Sequence, residues 1–308
     1  MNDPDPAAFA LLEGLGDSGY RFVAVTPETH RRVLERTPGR VARDLRDVFG
    51  WSLPFEDGLL PSAVASALER SGWLGREGRL CRSRVRVAAL DGRLFLHSAF
   101  PTDRADSVFF GPDSYRFVRF LQAELPGLPP VRRLVDLGAG SGVGAISAAA
   151  LLPGARATAA DINPLALRLA RINARHAGVE LDTIESSGLA GVEGPIDLVV
   201  ANPPFVADPV KRLYRDGGGM RGARLSLDWA LAAAGRIEAG GTILLYTGSA
   251  IVEGRDALHE ALAGALPALG CTLRYSELDP DIFGELLDEP GYGQVERIAA
   301  VGAVIGKA

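Results

Sequence analysis

From about residue 108 onward, short apolar runs alternate with stretches in which apolar residues recur at helical spacing. The apolar runs lack polar alternation, which is typical of parallel strands covered by helices on both faces. Residues 278–295 join the last two runs without a helical pattern, so we predict that the final strand enters antiparallel. The pattern therefore indicates an α/β fold with a seven-stranded, mostly parallel sheet. The predicted strands are 131–137, 155–160, 181–184, 196–201, 241–246, 272–277 and 297–304, with helices such as 164–176 and 224–237 between them.

Residues 1–107 show a different pattern, which predicts a smaller N-terminal α+β domain. Strands at 82–90 and 93–97 flank Asp91-Gly92, a strong hairpin signal, and the order of helices and hairpin is compatible with a winged-helix-like module. Arg82, Arg84 and Arg86 alternate along the first hairpin strand, either as a solvated edge or as a substrate-docking strip. The predicted helices are 7–15, 27–35, 38–49 and 61–71.

We predict two domains, 1–107 and 108–308, in which the first serves for docking or as a lid. The chain of 308 residues is long enough for both, and 47% hydrophobic with 23% charged residues suits a globular protein. No apolar run reaches the roughly 18–20 residues of a membrane helix, so we expect no membrane partner. The acidic N-terminus lacks the basic segment of a secretory signal.

The charge and cysteine content narrow the function classes. A formal net charge of −5 argues against a protein whose whole surface grips nucleic acid, although a local basic face is compatible with it. Cys81 and Cys271 lie far apart, and the four histidines are scattered, so we expect no metal site. Two cysteines in a chain of this size predict reduced thiols and a cytoplasmic location.

A glycine-rich loop follows the first predicted strand of the sheet. Gly138, Ala139 and Gly140 come directly after Asp136-Leu137 and open a helix, which allows a ligand to approach the backbone closely. The dinucleotide pattern Gly-x-Gly-x-x-Gly fails from Gly138, where its last position is Val143. The Asp136 carboxylate would repel a pyrophosphate but favours a cation. A sulfonium cofactor with an amino group meets that condition.

The second predicted strand ends in another acid. Asp161 lies 25 residues beyond Asp136, at the strand end where ligands of open α/β sheets bind, and it can accept both hydroxyls of a ribose. Ile162 can cover an adenine face. Asn163 and Pro164 then fit the cap and first turn of a helix.

Asn202, Pro203, Pro204 and Phe205 follow the fourth predicted strand. An amide or exocyclic amine nitrogen is a poor nucleophile, because its lone pair is delocalised. Two acceptors aimed at its N–H bonds can orient the nitrogen and offset the charge that develops on it. The Asn202 side chain and the Pro203 carbonyl can supply these acceptors, and Phe205 can stack on a planar group. Such a loop predicts methyl transfer to a planar nitrogen.

Three segments together carry a resemblance to a known family. Residues 135–146, 159–173 and 202–205 resemble class I S-adenosylmethionine-dependent methyltransferases, and within them the group of release-factor glutamine and "small" ribosomal guanine methyltransferases. The resemblance covers roughly residues 108–308 and implies a Rossmann-like methyltransferase sheet with S-adenosyl-L-methionine as cofactor.

The resemblance also implies residue roles. Asp136 would support the methionine end of the cofactor, Gly138 and Gly140 would pass against it, and Asp161 would hold the ribose. Ser187 would sit near the adenine amino group. The segment 109–114, with Phe110, resembles the segment that closes over the cofactor, but it lacks the arginine and glutamate of the glutamine enzymes.

Three functions are compatible with these patterns. We predict an N-methyltransferase that acts on a macromolecule, either an RNA base or a protein glutamine. A small-molecule methyltransferase with the N-terminal domain as a lid is the first alternative, and a non-catalytic cofactor- or RNA-binding module is the second. Met220 and Arg221 replace the acid common in the glutamine group, and residues 281–292 carry no assignable chemistry. The oligomeric state is not predicted.

Overall fold

The computed structural model describes residues 5–208 and 212–308. Its N-terminal part contains four helices, a three-stranded sheet in the order β1-β3-β2 and a separate two-stranded hairpin, β4-β5. The helices are α1 (Pro6–Asp17), α2 (Pro27–Glu35), α3 (Leu45–Phe49) and α4 (Ser62–Arg70). The strands are β1 (Phe55–Glu56), β2 (Leu74–Glu77), β3 (Leu80–Ser83), β4 (Val85–Leu90) and β5 (Arg93–Ser98).

Side-chain caps determine where α2 and α3 begin. Thr26 accepts a hydrogen bond from the Thr29 amide at 3.1 Å and starts α2 where the sequence predicts it. The predicted helix 38–49 is wrong in its first half, because Gly39 takes a positive φ of 74° and turns the chain. Asp44 then accepts from the Asp47 amide at 2.7 Å, so α3 begins only at Leu45.

The predicted hairpin forms around Asp91-Gly92, but its first strand is divided. A break at Arg84 separates β3, which pairs with β2, from β4, which pairs with β5. Arg82 therefore lies in a different sheet from Arg86, and it pairs with Glu77 at 2.9 Å. Arg86 is buried. The expectation that the three arginines line one strand face is wrong.

The C-terminal part is built around the predicted sheet. The strands are β6 (Arg133–Leu137), β7 (Arg156–Asp161), β8 (Leu181–Glu185), β9 (Leu198–Ala201), β10 (Thr242–Val252), β11 (Arg255–Asp256), β12 (Cys271–Asp279) and β13 (Arg297–Lys307). The helices are α5 (Pro112–Glu124), α6 (Val143–Leu151), α7 (Pro164–His176), α8 (Arg224–Arg236) and α9 (Ala257–Ala265). Short 3-10 turns occupy Leu125–Gly127, Met220–Gly222, Leu266–Leu269 and Gly284–Asp288.

The strand order is β12-β13-β10-β9-β6-β7-β8, and the short β11 pairs with β10 at the side. Strands β10, β9, β6, β7 and β8 run parallel, whereas β13 is antiparallel to both β10 and β12. The α/β fold with an antiparallel last strand is thus confirmed. The order reverses between β6 and β9, and Leu137 lies opposite Ala201 in their register. Open α/β sheets bind ligands at such a switch point.

The two parts of the chain share a hydrophobic core. Leu11 and Leu15 of α1 are fully buried in one cluster with Leu169 and Ile172 of α7. Burial of a Leu or Ile side chain is worth about 1.5–3 kcal/mol, so this contact fixes the N-terminal part on α7. The division at residue 107 stays a prediction. In the part of the chain that the structure describes, no helix is long and apolar enough to cross a membrane.

Candidate active site

The loop between β6 and α6 is built from glycines in the left-handed region. Gly138, Gly140 and Gly142 have φ values of 65°, 54° and 80°, which other residues adopt only with strain. The amides of Gly138 and Ala139 donate to the Ala160 carbonyl at 2.8 and 3.2 Å. The glycine loop is thereby fixed against the end of β7.

Asp136 lies under this loop, with 2% of its surface exposed. Its Oδ2 accepts a hydrogen bond from the Ala145 amide at 2.7 Å, in the first turn of α6. The position of the Asp136 carboxyl group requires a glycine at residue 144, because a Cβ at Gly144 would stand only 2.7 Å from Asp136 Oδ2. Burial raises the pKa of Asp136 to about 7. A cation bound beside it would favour its ionised form.

Asp161 joins the ends of the first two strands of the site. Its Oδ2 accepts from the Gly140 amide at 2.9 Å, and its Oδ1 accepts from the Asn163 amide at 2.9 Å. Burial raises the pKa of Asp161. Each carboxylate oxygen has a second lone pair, which can accept from a ligand hydroxyl. Ile162, next in the chain, is 46% exposed at the mouth of the cavity.

The loop after β9 carries one polar side chain, that of Asn202, which faces the cavity. Within the described ranges, the Asn202 carboxamide makes no hydrogen bond to the protein. A returning segment supports the loop from behind, since the Gly217 amide donates to the Val206 carbonyl at 2.8 Å. Phe205 packs so closely on Gly248 of β10 that a Cβ there would stand 2.3 Å from its ring. The loop is therefore held in place while Asn202 stays available.

A single cavity of about 560 Å³ lies over the switch point of the sheet. It brings together all but one of the residues proposed from the sequence. Its lining includes Asp136, Gly138, Ala139, Gly140, Asp161, Ile162, Ser187, Asn202, Pro203, Pro204 and Phe205. Both the glycine loop and the loop at Asn202 thus face the same space.

Phe110 is the exception. The sequence predicts that it lies beside the cofactor, but in the structure it does not line the cavity. Its side chain is fully buried and packs against Phe95 and His97, with ring centroids 5.6 and 5.4 Å away. Phe109 lines the cavity instead, and its ring stacks on Tyr214 at 6.1 Å and 14°. Neighbouring side chains of an extended segment point to opposite sides, so the prediction was one residue off.

Several cavity residues were not predicted from the sequence. Trp229 of α8 lies against Gly138, and Phe283 comes from the last long connection. Asp113 lies in the first turn of α5, where its Oδ1 accepts from the Tyr246 hydroxyl at 2.7 Å and burial raises its pKa to about 6. Of these three residues, only Asp113 has a local sequence pattern that predicts its position, because it follows a proline at the start of a helix.

The arginines that line the cavity are already paired with acids. Arg31 contacts Glu28 at 2.6 Å, Arg212 contacts the buried Asp208 at 2.7 Å, and Arg215 contacts Glu289 at 3.0 Å. The Arg212 hydrogen bond lowers the pKa of Asp208 to about 2. The carboxylates lining the mouth are Glu28, Asp103, Glu285 and Glu289. In residues 5–208 and 212–308, the mouth therefore forms no basic groove.

No group of three or more His, Cys, Asp or Glu side chains in the described part of the chain is arranged to hold a metal ion.

The sequence matches known proteins over the region that forms this site. Residues 114–214 match the methyltransferase small domain family. The chain is 39% identical over 126 residues to the release factor glutamine methyltransferase of Deinococcus radiodurans, covering 37% of this chain and 44% of the relative. It is 31% identical over 208 residues to that of Cereibacter sphaeroides, covering 62% and 68%. It is 42% identical over 83 residues to the ribosomal RNA small subunit methyltransferase C of Hahella chejuensis, covering 26% and 24%.

The fold is similar to that of M. jannaschii TYW2 in complex with AdoMet. The TM-score is 0.50 at 14% identity, and the alignment covers 76% of this chain and 89% of that structure. At this identity the likeness concerns the fold alone. The chain spans between 28% and 51% of the length of four of the curated relatives named for release factor glutamine methylation.

Proposed function

Because this chain belongs to the class I S-adenosylmethionine-dependent methyltransferases that carry the small methyltransferase domain, we propose that it methylates a planar amide or amine nitrogen. The observation that carries this proposal is the Asn202 carboxamide at the end of β9, which lines the cavity and makes no hydrogen bond to the residues that the structure describes. It shares one cavity with the glycine loop at the end of the neighbouring β6. A cofactor methyl group and an acceptor nitrogen held by these two loops would therefore meet.

The residues present suit S-adenosylmethionine. Asp161 would accept from the ribose hydroxyls, and Ile162 and Ser187 would lie beside the adenine. Asp136 and the glycine loop would face the methionine end, where a buried carboxyl suits a cationic group. The cofactor supplies an electrophilic methyl group on a sulfonium sulfur.

The acceptor loop would position the nitrogen for in-line displacement. Asn202 Oδ1 and the Pro203 carbonyl would accept from its two N–H bonds, and Phe205 would pack against the planar group. The nitrogen lone pair would displace the methyl group from sulfur, so that the N–C bond forms as the C–S bond breaks and its electron pair stays on sulfur. The nitrogen would then lose a proton to water, so no basic side chain is required.

Among macromolecular acceptors we favour a protein glutamine over an RNA base. The cavity mouth is rich in carboxylates, and its arginines are engaged by acids, an arrangement that disfavours phosphates. Several relatives, including those of Deinococcus radiodurans and Cereibacter sphaeroides, are named for release factor glutamine methylation, which supports the same choice. The differences at 109–114 and at Met220-Arg221 mean that the target glutamine need not be that of a release factor.

A small-molecule acceptor is the second candidate, and one observation favours it. Pro27, Phe100 and Pro101 of the N-terminal part line the same cavity as Asn202. The N-terminal part therefore narrows the entrance, as a lid would.

The test compares two variants with opposite expected effects. Asn202→Ala should abolish methyl transfer and leave the affinity for S-adenosylmethionine within about twofold of wild type, because the acceptor site alone is changed. Asp161→Ala should weaken the affinity by roughly tenfold in calorimetry, since it removes two hydrogen bonds to the ribose. Mass spectrometry of protein, RNA and metabolites from cells with and without the gene would identify the lost methyl mark. An active Asn202→Ala enzyme would contradict the proposed acceptor role.

A further inference from the structure

The N-terminal hairpin is connected to the glycine loop through one buried side chain, Asn173 of α7. Its surface is 0% exposed, and its carboxamide makes three hydrogen bonds. Oδ1 accepts from the Leu96 amide at 2.8 Å, while Nδ2 donates to the Leu96 carbonyl at 3.1 Å and to the Ser141 carbonyl at 2.9 Å. Leu96 belongs to β5 of the hairpin, and Ser141 lies in the glycine loop and lines the cavity.

From this geometry we propose that Asn173 is a positioning residue for the cofactor, which makes the hairpin β4-β5 part of the cofactor site. The proposal rests on the proposed function, since it assumes that S-adenosylmethionine binds at the glycine loop. The same carboxamide binds Leu96 of the hairpin and the Ser141 carbonyl. A displacement of the hairpin would therefore disturb the hydrogen bond to Ser141. An unsatisfied buried partner is costly, which keeps the three groups together.

A second asparagine forms a parallel connection at the neighbouring loop. Asn163, which is 5% exposed, donates from Nδ2 to the Asp106 carbonyl at 2.8 Å and caps α7 by accepting from the Leu165 amide. The Asn163 amide in turn donates to Asp161. Both loops that would hold the cofactor are thus connected, through asparagine carboxamides of α7 and its cap, to backbone carbonyls on the N-terminal side.

Two consequences distinguish positioning from a purely structural role. Loss of the Asn173 carboxamide should release the glycine loop as well as the hairpin. Conversely, a ligand that orders the glycine loop should slow hydrogen exchange at the Leu96 amide, because Asn173 transmits the constraint to β5.

Tyr20→Phe offers a matched control on the same hairpin. The buried Tyr20 hydroxyl donates to the Val87 carbonyl of β4 at 2.9 Å, a hydrogen bond that does not involve the glycine loop. Its removal weakens the attachment of the hairpin by one hydrogen bond and leaves Ser141 untouched.

The experiment measures S-adenosylhomocysteine affinity by calorimetry and amide hydrogen exchange in wild type, Asn173→Ala, Asn173→Asp and Tyr20→Phe. Asn173→Asp keeps the size of the side chain and the acceptor for Leu96, and even its protonated acid can donate only one of the two bonds that Nδ2 makes, so it is a second test beside the alanine variant. We expect both Asn173 variants to bind roughly tenfold more weakly and to exchange faster at residues 138–143. Tyr20→Phe should remain within about twofold of wild type in affinity.

Two results would overturn the proposal. The first is an Asn173 variant with wild-type affinity and wild-type exchange in the glycine loop. The second is an equal loss of affinity in Tyr20→Phe, which would reduce Asn173 to a general stabilising role. If wild-type protein does not bind S-adenosylhomocysteine, the proposed cofactor fails, and exchange at residues 138–143 in the variants still decides whether Asn173 fixes the loop.

Discussion

The indole ring of Trp229 packs directly on the backbone of Gly138, so that a Cβ at Gly138 would stand 2.6 Å from Trp229 Cη2. Gly138 also has a φ of 65°. The first glycine of the glycine loop is therefore required both for its backbone conformation and for its contact with α8. Trp229 closes one side of the cavity, and its position depends on this absence of a side chain.

Gly138→Ala should destabilise the protein by about 3 kcal/mol, of which about 1 kcal/mol is backbone strain and the rest is the displacement of Trp229. Gly178 is a matched control, since its φ is 67° and no atom of the described residues lies within 4 Å of a Cβ placed there. Gly178→Ala should cost only the strain and leave cofactor affinity unchanged. Chemical denaturation and calorimetry check both variants. Equal losses of stability in the two would refute the packing role of Trp229.

Much of the site could be predicted from the sequence because it lies at strand ends. Asp136, Asp161 and Asn202 each follow a buried apolar run, and parallel strands bring such ends to one edge of the sheet. The residues that complete the cavity have no such local marker. Trp229 reaches Gly138 only through the packing of α8, and the choice between Phe109 and Phe110 depends on the direction of one extended segment.

The N-terminal part was predicted less accurately, and the reasons are local. The 82–90 run reads as one strand because its alternation is continuous, yet Ser83 bonds to both backbone groups of Val85 and divides it. Side-chain bonds to nearby backbone compete with strand pairing, and sequence periodicity does not register them. Arg86 lies beyond this division, in β4, and is buried. The three arginines therefore do not form an exposed docking strip.

Phe205 rests on Gly248, and this contact predicts a variant that separates the proposed role of the loop at Asn202 from that of the glycine loop. Gly248→Ala should push the Phe205 ring away and lower methyl transfer at least tenfold, at a cost of about 1–3 kcal/mol in stability. Cofactor affinity should stay near wild type, because the three atoms nearest to a Cβ at Gly248 all belong to the Phe205 ring.

Gly306→Ala in the neighbouring β13 is the control for this variant, since its Cβ would meet only Thr272 Oγ1 at an ordinary 3.4 Å. It should retain full transfer of the methyl mark identified in cells. Reduced transfer in both variants would point to a general effect on the sheet, and normal transfer in Gly248→Ala would remove Phe205 from the acceptor site.

The raised pKa of Asp136 predicts a specific pH dependence of stability. Burial lifts this pKa from 3.8 to about 7, so the folded protein binds a proton that the unfolded chain releases between these values. The resulting stabilisation is fully present below about pH 4 and is lost as the pH rises through 7.

Asp136→Asn keeps an acceptor for the Ala145 amide and cannot ionise. Between pH 5.5 and 8, the unfolding free energy of wild type should therefore fall by roughly 2 kcal/mol relative to the variant, and level off at higher pH. Urea denaturation of both proteins across this range measures the difference. A constant difference would show that Asp136 is already ionised at pH 5.5, with the Ala145 amide outweighing the effect of burial.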